Sequence, residues 1–254
     1  IKLYEINNDH LYKKYSKFLE NFRRRRSGRC CRGAPVAFLA TVAVARYESG
    51  MNDAAQMTEA RAVGAESGAV LDFWFGAPDD PGHALARKAW FGHDPAFDAE
   101  IRRRFLGTYD RALAGEFDHW RDHHRACLAL VLVFDQFPRN MFRGAPQAFA
   151  TDAQARTLAR HAVELGYDRR VPPVHRTFFY LPFEHSEDLA DQNLAVRLFE
   201  AIEPHPGREE GIRYAVRHRE VIERFGRFPH RNAILGRQGT PEELAFLQLP
   251  DSSF

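Results

Sequence analysis

The stretch Cys127-Leu-Ala-Leu-Val-Leu-Val-Phe134 decides the fold, because it is apolar on every face and must lie in the protein interior. Its periodicity alone is compatible with a buried strand or a buried helix. The preceding residues 119–126 extend it to the length of a helix, and no partner strand is evident elsewhere in the sequence. We therefore predict a buried central helix from about Asp122 to Phe134.

Helical patterns also account for most of the chain on either side of this stretch. One predicted helix begins at a cap on Ser67, and a second begins at Asp94-Pro95 and ends before Gly115. A third begins at a capping box on Thr151, with Leu158 and Leu165 facing inward, and ends at Gly166. The remaining predicted helices run from Pro182 to about Ile202, from Glu209 to Phe225, and from a capping box on Thr240 with Leu244 and Leu247 facing inward. No β-hairpin pattern appears. The predicted fold class is all-α, one domain of about seven helices packed as antiparallel hairpins.

Composition separates the first 66 residues from the rest. Residues 1–66 carry 12 basic and 7 acidic residues, whereas Lys88 is the single lysine that follows them. The first methionine is Met51. We predict that residues 1–66 are an N-terminal extension, either upstream of the natural start or added by cloning, and that residues 67–254 are the helical domain. The alternative is a signal peptide formed by Arg23–Arg26 and the apolar residues 34–45.

Several function classes lack the sequence motifs that they require. The chain has no Gly-rich dinucleotide fingerprint, phosphate-binding loop, nucleophile elbow or HExxH helix, so we predict no cofactor. His119 and His123 lack a nearby third ligand, so we predict no metal. The charge balance of residues 67–254 predicts no nucleic-acid partner. No apolar run is long enough for a membrane span, and Cys127 is the one cysteine of these residues, so we predict a cytoplasmic protein.

Two stretches about ninety residues apart resemble each other. Asp135-Gln-Phe-Pro-Arg-Asn140 and Gly226-Arg-Phe-Pro-His-Arg-Asn232 each join an aromatic residue, a helix-breaking proline and an Arg-Asn pair to the end of a helical pattern. We predict that each stops a helix and offers guanidinium and amide donors to a carboxylate or phosphate. The candidate ligand-binding residues from these turns and their surroundings are Asp135, Gln136, Arg139, Asn140, Arg143, Glu187, Gln192, Arg227, Arg231 and Asn232.

A third polar segment, Leu181-Pro-Phe-Glu-His-Ser-Glu-Asp188, lies between them. On a helix that starts at Pro182, its carboxylates and imidazole share neighbouring faces and could act as acid and base. The candidate catalytic residues are Glu184, His185 and Asp188, with His218 or His230 assisting. The competing interpretations are an acidic first turn that complements the helix dipole and, for His218, an ordinary core histidine.

Taken together, these motifs resemble bacterial domain-of-unknown-function family 924. The resemblance covers residues from about 70 to 249 and is carried by Val70-Leu-Asp-Phe-Trp-Phe-Gly76, Trp90-Phe91, residues 135–144, Ala148-Phe-Ala-Thr-Asp152, residues 181–188, Asp191-Gln192 and residues 224–232. It implies an all-helical fold grouped with tetratricopeptide-like superhelices, a right-handed array of helix hairpins. It implies no reaction, substrate or cofactor.

Three functional hypotheses remain open. The first is a binding module for a small anionic molecule or a peptide end, through Arg139, Asn140, Arg231 and Asn232. The second is an acid-base enzyme, a hydrolase or lyase, that uses Glu184, His185 and Asp188. The third is a buried structural network without a ligand. All three expect the loop after Asp135, the segment at Glu184 and the loop after Gly226 to meet in space.

Overall fold

The computed structural model describes residues 64–83, 85–250 and 252, so nearly all of the predicted N-terminal extension lies outside the described residues. The described residues form eight α-helices and no β-strand, which confirms the all-α prediction. The helices are α1 (Gly64–Phe75), α2 (Pro95–Leu113), α3 (His124–Met141), α4 (Asp152–Glu164), α5 (Pro173–Glu184), α6 (Leu189–Glu200), α7 (Arg208–Phe225) and α8 (Pro241–Phe246). Short 3-10 turns connect several of them.

Helix α3 is the centre of the described fold. It packs against α1, α2, α4 and α5, so each of its faces meets another helix. Every residue from Ala126 to Pro138 is buried, including Cys127, whose thiol is free. The prediction of a buried central helix is therefore confirmed, because an all-apolar surface is stable only where neighbours cover it on all sides.

Aromatic side chains join α1 to the rest of the core. Trp74 packs against Trp90, Phe137 and Phe178, with ring centroids between 5.7 and 6.2 Å apart. The indole of Trp90 also donates a hydrogen bond of 2.8 Å to the Trp74 carbonyl. The tryptophans are thus core residues, and the indole N–H of Trp90 fixes the turn that follows α1.

Two predicted helix starts are confirmed in detail. The Asp94 side chain accepts hydrogen bonds from the backbone N–H groups of Ala96 and Phe97 at the start of α2. Thr240 and Glu243 form the predicted capping box at the start of α8. Both depend on residues within one turn of each other, which is why the sequence alone reveals them.

The prediction that Asp135–Asn140 stops the central helix is wrong. Helix α3 continues to Met141 with Pro138 inside it. Proline has no N–H, so the Phe134 carbonyl loses its helical donor, and the Thr151 hydroxyl donates to it instead at 2.6 Å. The same hydrogen bond shows why the predicted capping box at Thr151 is wrong, since the Thr151 side chain makes no cap contact with α4.

The predicted helix from Pro182 to Ile202 is also wrong, because the chain forms two helices there. Pro182 lies inside α5, which ends at Glu184, and α6 begins at Leu189. The Asp188 carboxylate accepts from the N–H groups of Ala190 and Asp191 and so starts a new helix. Glu184 and Asp188 therefore do not share a helix face.

Three smaller predictions also need correction. Helix α1 begins at Gly64, and Ser67 lies inside it with its hydroxyl bonded to the Gly64 carbonyl. Leu165 and Leu244 are more than half exposed, not inward-facing.

In the described part of the chain, no helix combines the length and apolarity needed to cross a membrane.

Candidate functional site

The three predicted segments meet at the carboxyl end of α5. His185, the residue that follows this helix, places Nδ1 2.7 Å from the Asp135 carboxylate of α3. The Arg231 guanidinium, from the turn after α7, donates to the His185 carbonyl at 3.1 Å. These contacts confirm the expectation that the segments come together in space.

A carboxylate that the sequence analysis missed joins the two motif arginines. Arg139 donates two hydrogen bonds to Asp152, at 2.8 and 3.1 Å, and Arg231 approaches the same carboxylate at 3.5 Å. Asp152 had been assigned to the start of a helix, and nothing local marks it as an arginine partner. We call the set Asp135, Arg139, Asp152, Glu184, His185, His218 and Arg231 the central cluster.

The Asp135–His185 pair has a defined protonation state. Burial opposes the ionisation of Asp135, but His185 and Arg139 outweigh it and hold the pKa of the Asp135 carboxyl at about 2. Burial, together with Arg139, lowers the pKa of His185 despite the nearby Asp135. A neutral imidazole facing a carboxylate must carry its hydrogen on Nδ1, so Nε2 keeps its lone pair.

The pKa of Glu184, unlike that of Asp135, is raised. Burial, and secondarily the Asp135 charge, raise the pKa of the Glu184 carboxyl to about 8, so it is protonated at neutral pH. His218 Nδ1 lies 2.9 Å from the Tyr214 carbonyl and 3.2 Å from Glu184 Oε1. A carbonyl only accepts, so Nδ1 carries the hydrogen and shares it with Oε1. The carboxyl proton is then on Oε2, which is buried and has no hydrogen-bond partner in the described structure.

Arg231 and His230 complete the surroundings of the cluster. The Arg231 guanidinium lies over the rings of Phe149 and Phe228, at 4.7 and 4.4 Å from their centroids. Burial, together with Arg139, lowers the pKa of Arg231 to about 10. Burial and the Arg231 charge also lower the pKa of His230 to about 4. His230 is therefore neutral at physiological pH, like His185.

Other predicted residues belong to two separate networks near α8. Arg227 and Asn232 both donate to the buried Glu243 carboxylate, and the two hydrogen bonds from Arg227 are 2.6 and 2.8 Å long. Glu187 accepts from Arg237 at 2.7 and 2.9 Å and from the backbone N–H of Phe228. The sequence analysis missed Glu243 as an arginine partner, since it places this residue in a capping box alone. These contacts fix the turn after α7.

The remaining predicted residues make contacts that fix the backbone or hold neighbouring side chains. Gln192 donates to the carbonyls of Glu184 and Ser186, both at 2.6 Å, and so fixes the turn between α5 and α6. Gln136 donates to Asp135, and Asn140 donates to the Gln136 carbonyl. Arg143 pairs with Asp98 on α2 and makes no contact with the α5 end in the described structure. Asp188 caps α6, as described above, and is not in the central cluster.

Among the described residues, no group of three or more histidine, cysteine or acidic side chains is arranged to hold a metal ion.

Comparison with known proteins places the chain beside one family and one solved structure. The family model described as bacterial protein of unknown function (DUF924) matches residues 70–251. A solved structure of the protein of unknown function ATU0120 from Agrobacterium tumefaciens is 41% identical, with a TM-score of 0.64, and the match covers 73% of this chain and 98% of that one. No curated protein matches the chain.

Proposed function

Because the chain belongs to the DUF924 family of bacterial proteins of unknown function, we propose a function from the central cluster alone: an acid-base hydrolase in which His185 removes a proton from water. The observation that carries the proposal is the 2.7 Å contact between Asp135 and His185 Nδ1. Asp135 orients the ring and stabilises the imidazolium that forms, while Nε2 accepts the proton.

Glu184 is the proton donor in this scheme. Its Oε2 proton has no acceptor within the described residues, and the raised pKa keeps that proton bound at neutral pH. After His185 has activated water for attack on the substrate, Glu184 protonates the leaving group. Two groups of opposite protonation state at one helix end are what acid-base catalysis requires.

The anion-binding hypothesis has weaker support at this position. Arg139 and Arg231 face the carboxylates of Asp135 and Asp152, so two guanidinium groups meet two carboxylate groups. Asn232 donates to Glu243 and Asn140 to a backbone carbonyl. A small anion would have to displace these internal partners, whereas proton transfer by His185 displaces none of them.

The first experiment tests the protonation state without a substrate. Nitrogen-15 NMR of the imidazoles should show His185 as the neutral Nδ1–H form at pH 7. The Asp135→Asn variant should shift it towards the other tautomer, since an amide no longer demands a donor at Nδ1. A His185 ring with hydrogen on Nε2 in the wild type would overturn the proposal.

The second experiment measures catalysis on p-nitrophenyl esters and p-nitrophenyl phosphate. The His185→Gln and Asp135→Asn variants should lose about 10²- to 10⁴-fold in kcat/KM. Asp188→Asn is the matched control, because asparagine also caps a helix and residue 188 lies outside the cluster. Unchanged circular dichroism melts are required of all three. Activity retained in His185→Gln would contradict the proposed role, as would a wild type without activity on either class.

We also propose that the helices form the tetratricopeptide-like array and that the protein is cytoplasmic. Consecutive helices α4 to α7 pack each on the next, as hairpins in such an array do. The free, buried Cys127 thiol is consistent with a reducing compartment.

A further inference from the structure

A second polar site lies away from the central cluster, at the amino ends of α3 and α5. It is a cavity of about 590 Å³, within the range of small-molecule sites. Its described polar lining includes Arg125, Arg170, His83, His124 and His175. None of these residues belongs to the central cluster, so the site is independent of the proposed hydrolase.

The two arginines differ from those of the central cluster, because no acidic side chain in the described ranges pairs with them. Among the described residues, the side chains of Arg125 and Arg170 make no ion pair or hydrogen bond, and the Arg170 guanidinium only approaches the Tyr167 ring at 6.0 Å. Asp72 is the one carboxylate among the described lining residues. The described part of the cavity wall therefore has two arginines and one carboxylate, and this excess of positive charge attracts an anion.

The ends of the two helices add to this charge. Neither α3 nor α5 has a side-chain cap or an acidic residue in its first turn, so their own residues leave the positive dipole ends uncompensated. His124 of α3 and Pro172 and His175 at the start of α5 line the cavity. Backbone N–H groups at the amino end of α3 suit phosphate oxygens. At α5 only the dipole contributes, because Pro172 and Pro173 carry no N–H and the His175 N–H bonds the Pro172 carbonyl.

The rest of the lining indicates an organic body attached to the anion. Leu71, Phe75, Leu128 and Val171 form an apolar wall. His175 stacks on Phe75, with centroids 3.7 Å apart, and its Nε2 lies 2.6 Å from the His83 carbonyl. Because a carbonyl only accepts, Nε2 carries the hydrogen and Nδ1 is left as an acceptor for a ligand hydroxyl or amide.

We propose that this cavity binds a small phosphomonoester, with the phosphate held by Arg125, Arg170 and the amino end of α3. The apolar wall contacts the organic group. The sequence analysis predicted only the start of the central helix near this position.

Calorimetric titration of the full chain tests this, with phenyl phosphate and inorganic phosphate as probes. Phenyl phosphate should bind saturably and more tightly than inorganic phosphate. Arg170→Ala and Arg125→Ala should each weaken its binding about ten- to hundredfold. Arg169→Ala is the matched control, because Arg169 is the exposed neighbour of Arg170 and does not line the cavity. Arg125→Lys should restore part of the affinity.

Two results would overturn the proposal. One is an absence of saturable binding of either probe by the wild type at millimolar concentration. The other is an equal loss of affinity in Arg169→Ala and Arg170→Ala, which would indicate nonspecific attraction to surface charge. Asp72→Asn sharpens the test, since removal of the one described carboxylate should tighten binding.

Discussion

Helices α3 and α7 carry similar motifs at their carboxyl ends, yet the two motifs adopt different backbone conformations. In α3 the stretch Phe137-Pro-Arg-Asn140 is helical, whereas Phe228-Pro-His-Arg-Asn232 follows the end of α7. The difference comes from what precedes each proline. Gly226 adopts a φ of 68° and ends α7, and α3 has no glycine there. Arg139 therefore contacts the Asp152 carboxylate from a helix, and Arg231 contacts the same carboxylate from a turn.

The two helices also differ in how much of their surface is covered. Helix α3 is buried on all sides, while α7 buries a single face formed by Ala215, His218, Val221 and Ile222. The central cluster lies between them, with His185 bonded to α3 and Glu184 to α7 through His218. Changes in α3 are therefore expected to be more damaging than comparable changes in α7.

The largest effect is expected from a charge inside α3. Leu130→Asp places an unpaired carboxylate at a site that is 3% exposed, at a cost of several kcal/mol, which is comparable to the stability of a typical domain. We expect an unfolded or insoluble protein by circular dichroism. Tyr214→Asp on α7, at a site that is 42% exposed, is the control and should remain folded. A Leu130→Asp protein with an unchanged melting temperature would contradict the central position of α3.

The sequence predicted those features that depend on neighbouring residues. Asp94 and Thr240 cap helices through groups one turn away, and the apolar pattern of residues 127–134 identified the core. Pro138 misled the prediction because the donor that compensates for it, Thr151, lies in another segment. The helix start predicted at Pro182 was wrong for a different reason, because the new helix begins at the Asp188 cap.

The candidate site was also predictable only in part. The composition of the motifs indicated that Asp135, His185 and Arg231 would meet. The partner that joins the arginines, Asp152, was not identifiable, since its contacts with Arg139 and Arg231 are made across the fold. The basic cavity at the amino ends of α3 and α5 had no local pattern at all.

The next largest effect is expected at the arginines. Arg139→Ala removes both short hydrogen bonds to Asp152 and leaves that carboxylate with Arg231 at 3.5 Å. We expect a loss of about 3 kcal/mol in the free energy of unfolding, from denaturant titration. Arg231→Ala should cost less, because Asp152 keeps both of its short hydrogen bonds.

A double-mutant cycle tests whether the arginines act through one carboxylate. The losses of Arg139→Ala and Arg231→Ala should be non-additive by about 0.5 kcal/mol or more, as for residues that share a partner. Strict additivity would show that Asp152 does not couple α3 to the turn after α7. Arg143→Ala, at an exposed pair with Asp98, is the control for loss of a surface arginine.

A pH-dependent effect is expected at Glu184. The pKa of this carboxyl is raised in the folded state to about 8, so its contribution to stability is complete below its ordinary pKa and is lost as pH rises towards 8. Between pH 6 and 8, the wild type should therefore lose stability relative to Glu184→Gln. Glu187→Gln should show no such trend in this window, because its partners lower the pKa of Glu187. Parallel pH profiles for wild type and Glu184→Gln would mean that Glu184 is already ionised.

The smallest effect concerns the hydroxyl that allows α3 to pass through Pro138. Thr151→Val keeps the shape of the side chain but removes the donor to the Phe134 carbonyl, which leaves a buried acceptor unsatisfied. We expect a loss of about 1–2 kcal/mol in the free energy of unfolding. Thr157→Val is the matched control, because the Thr157 hydroxyl bonds a carbonyl on the exposed side of α4. If the two variants are equally stable, the Thr151 hydrogen bond does not support the helix beyond Pro138, and the difference between the two motifs rests on Gly226 alone.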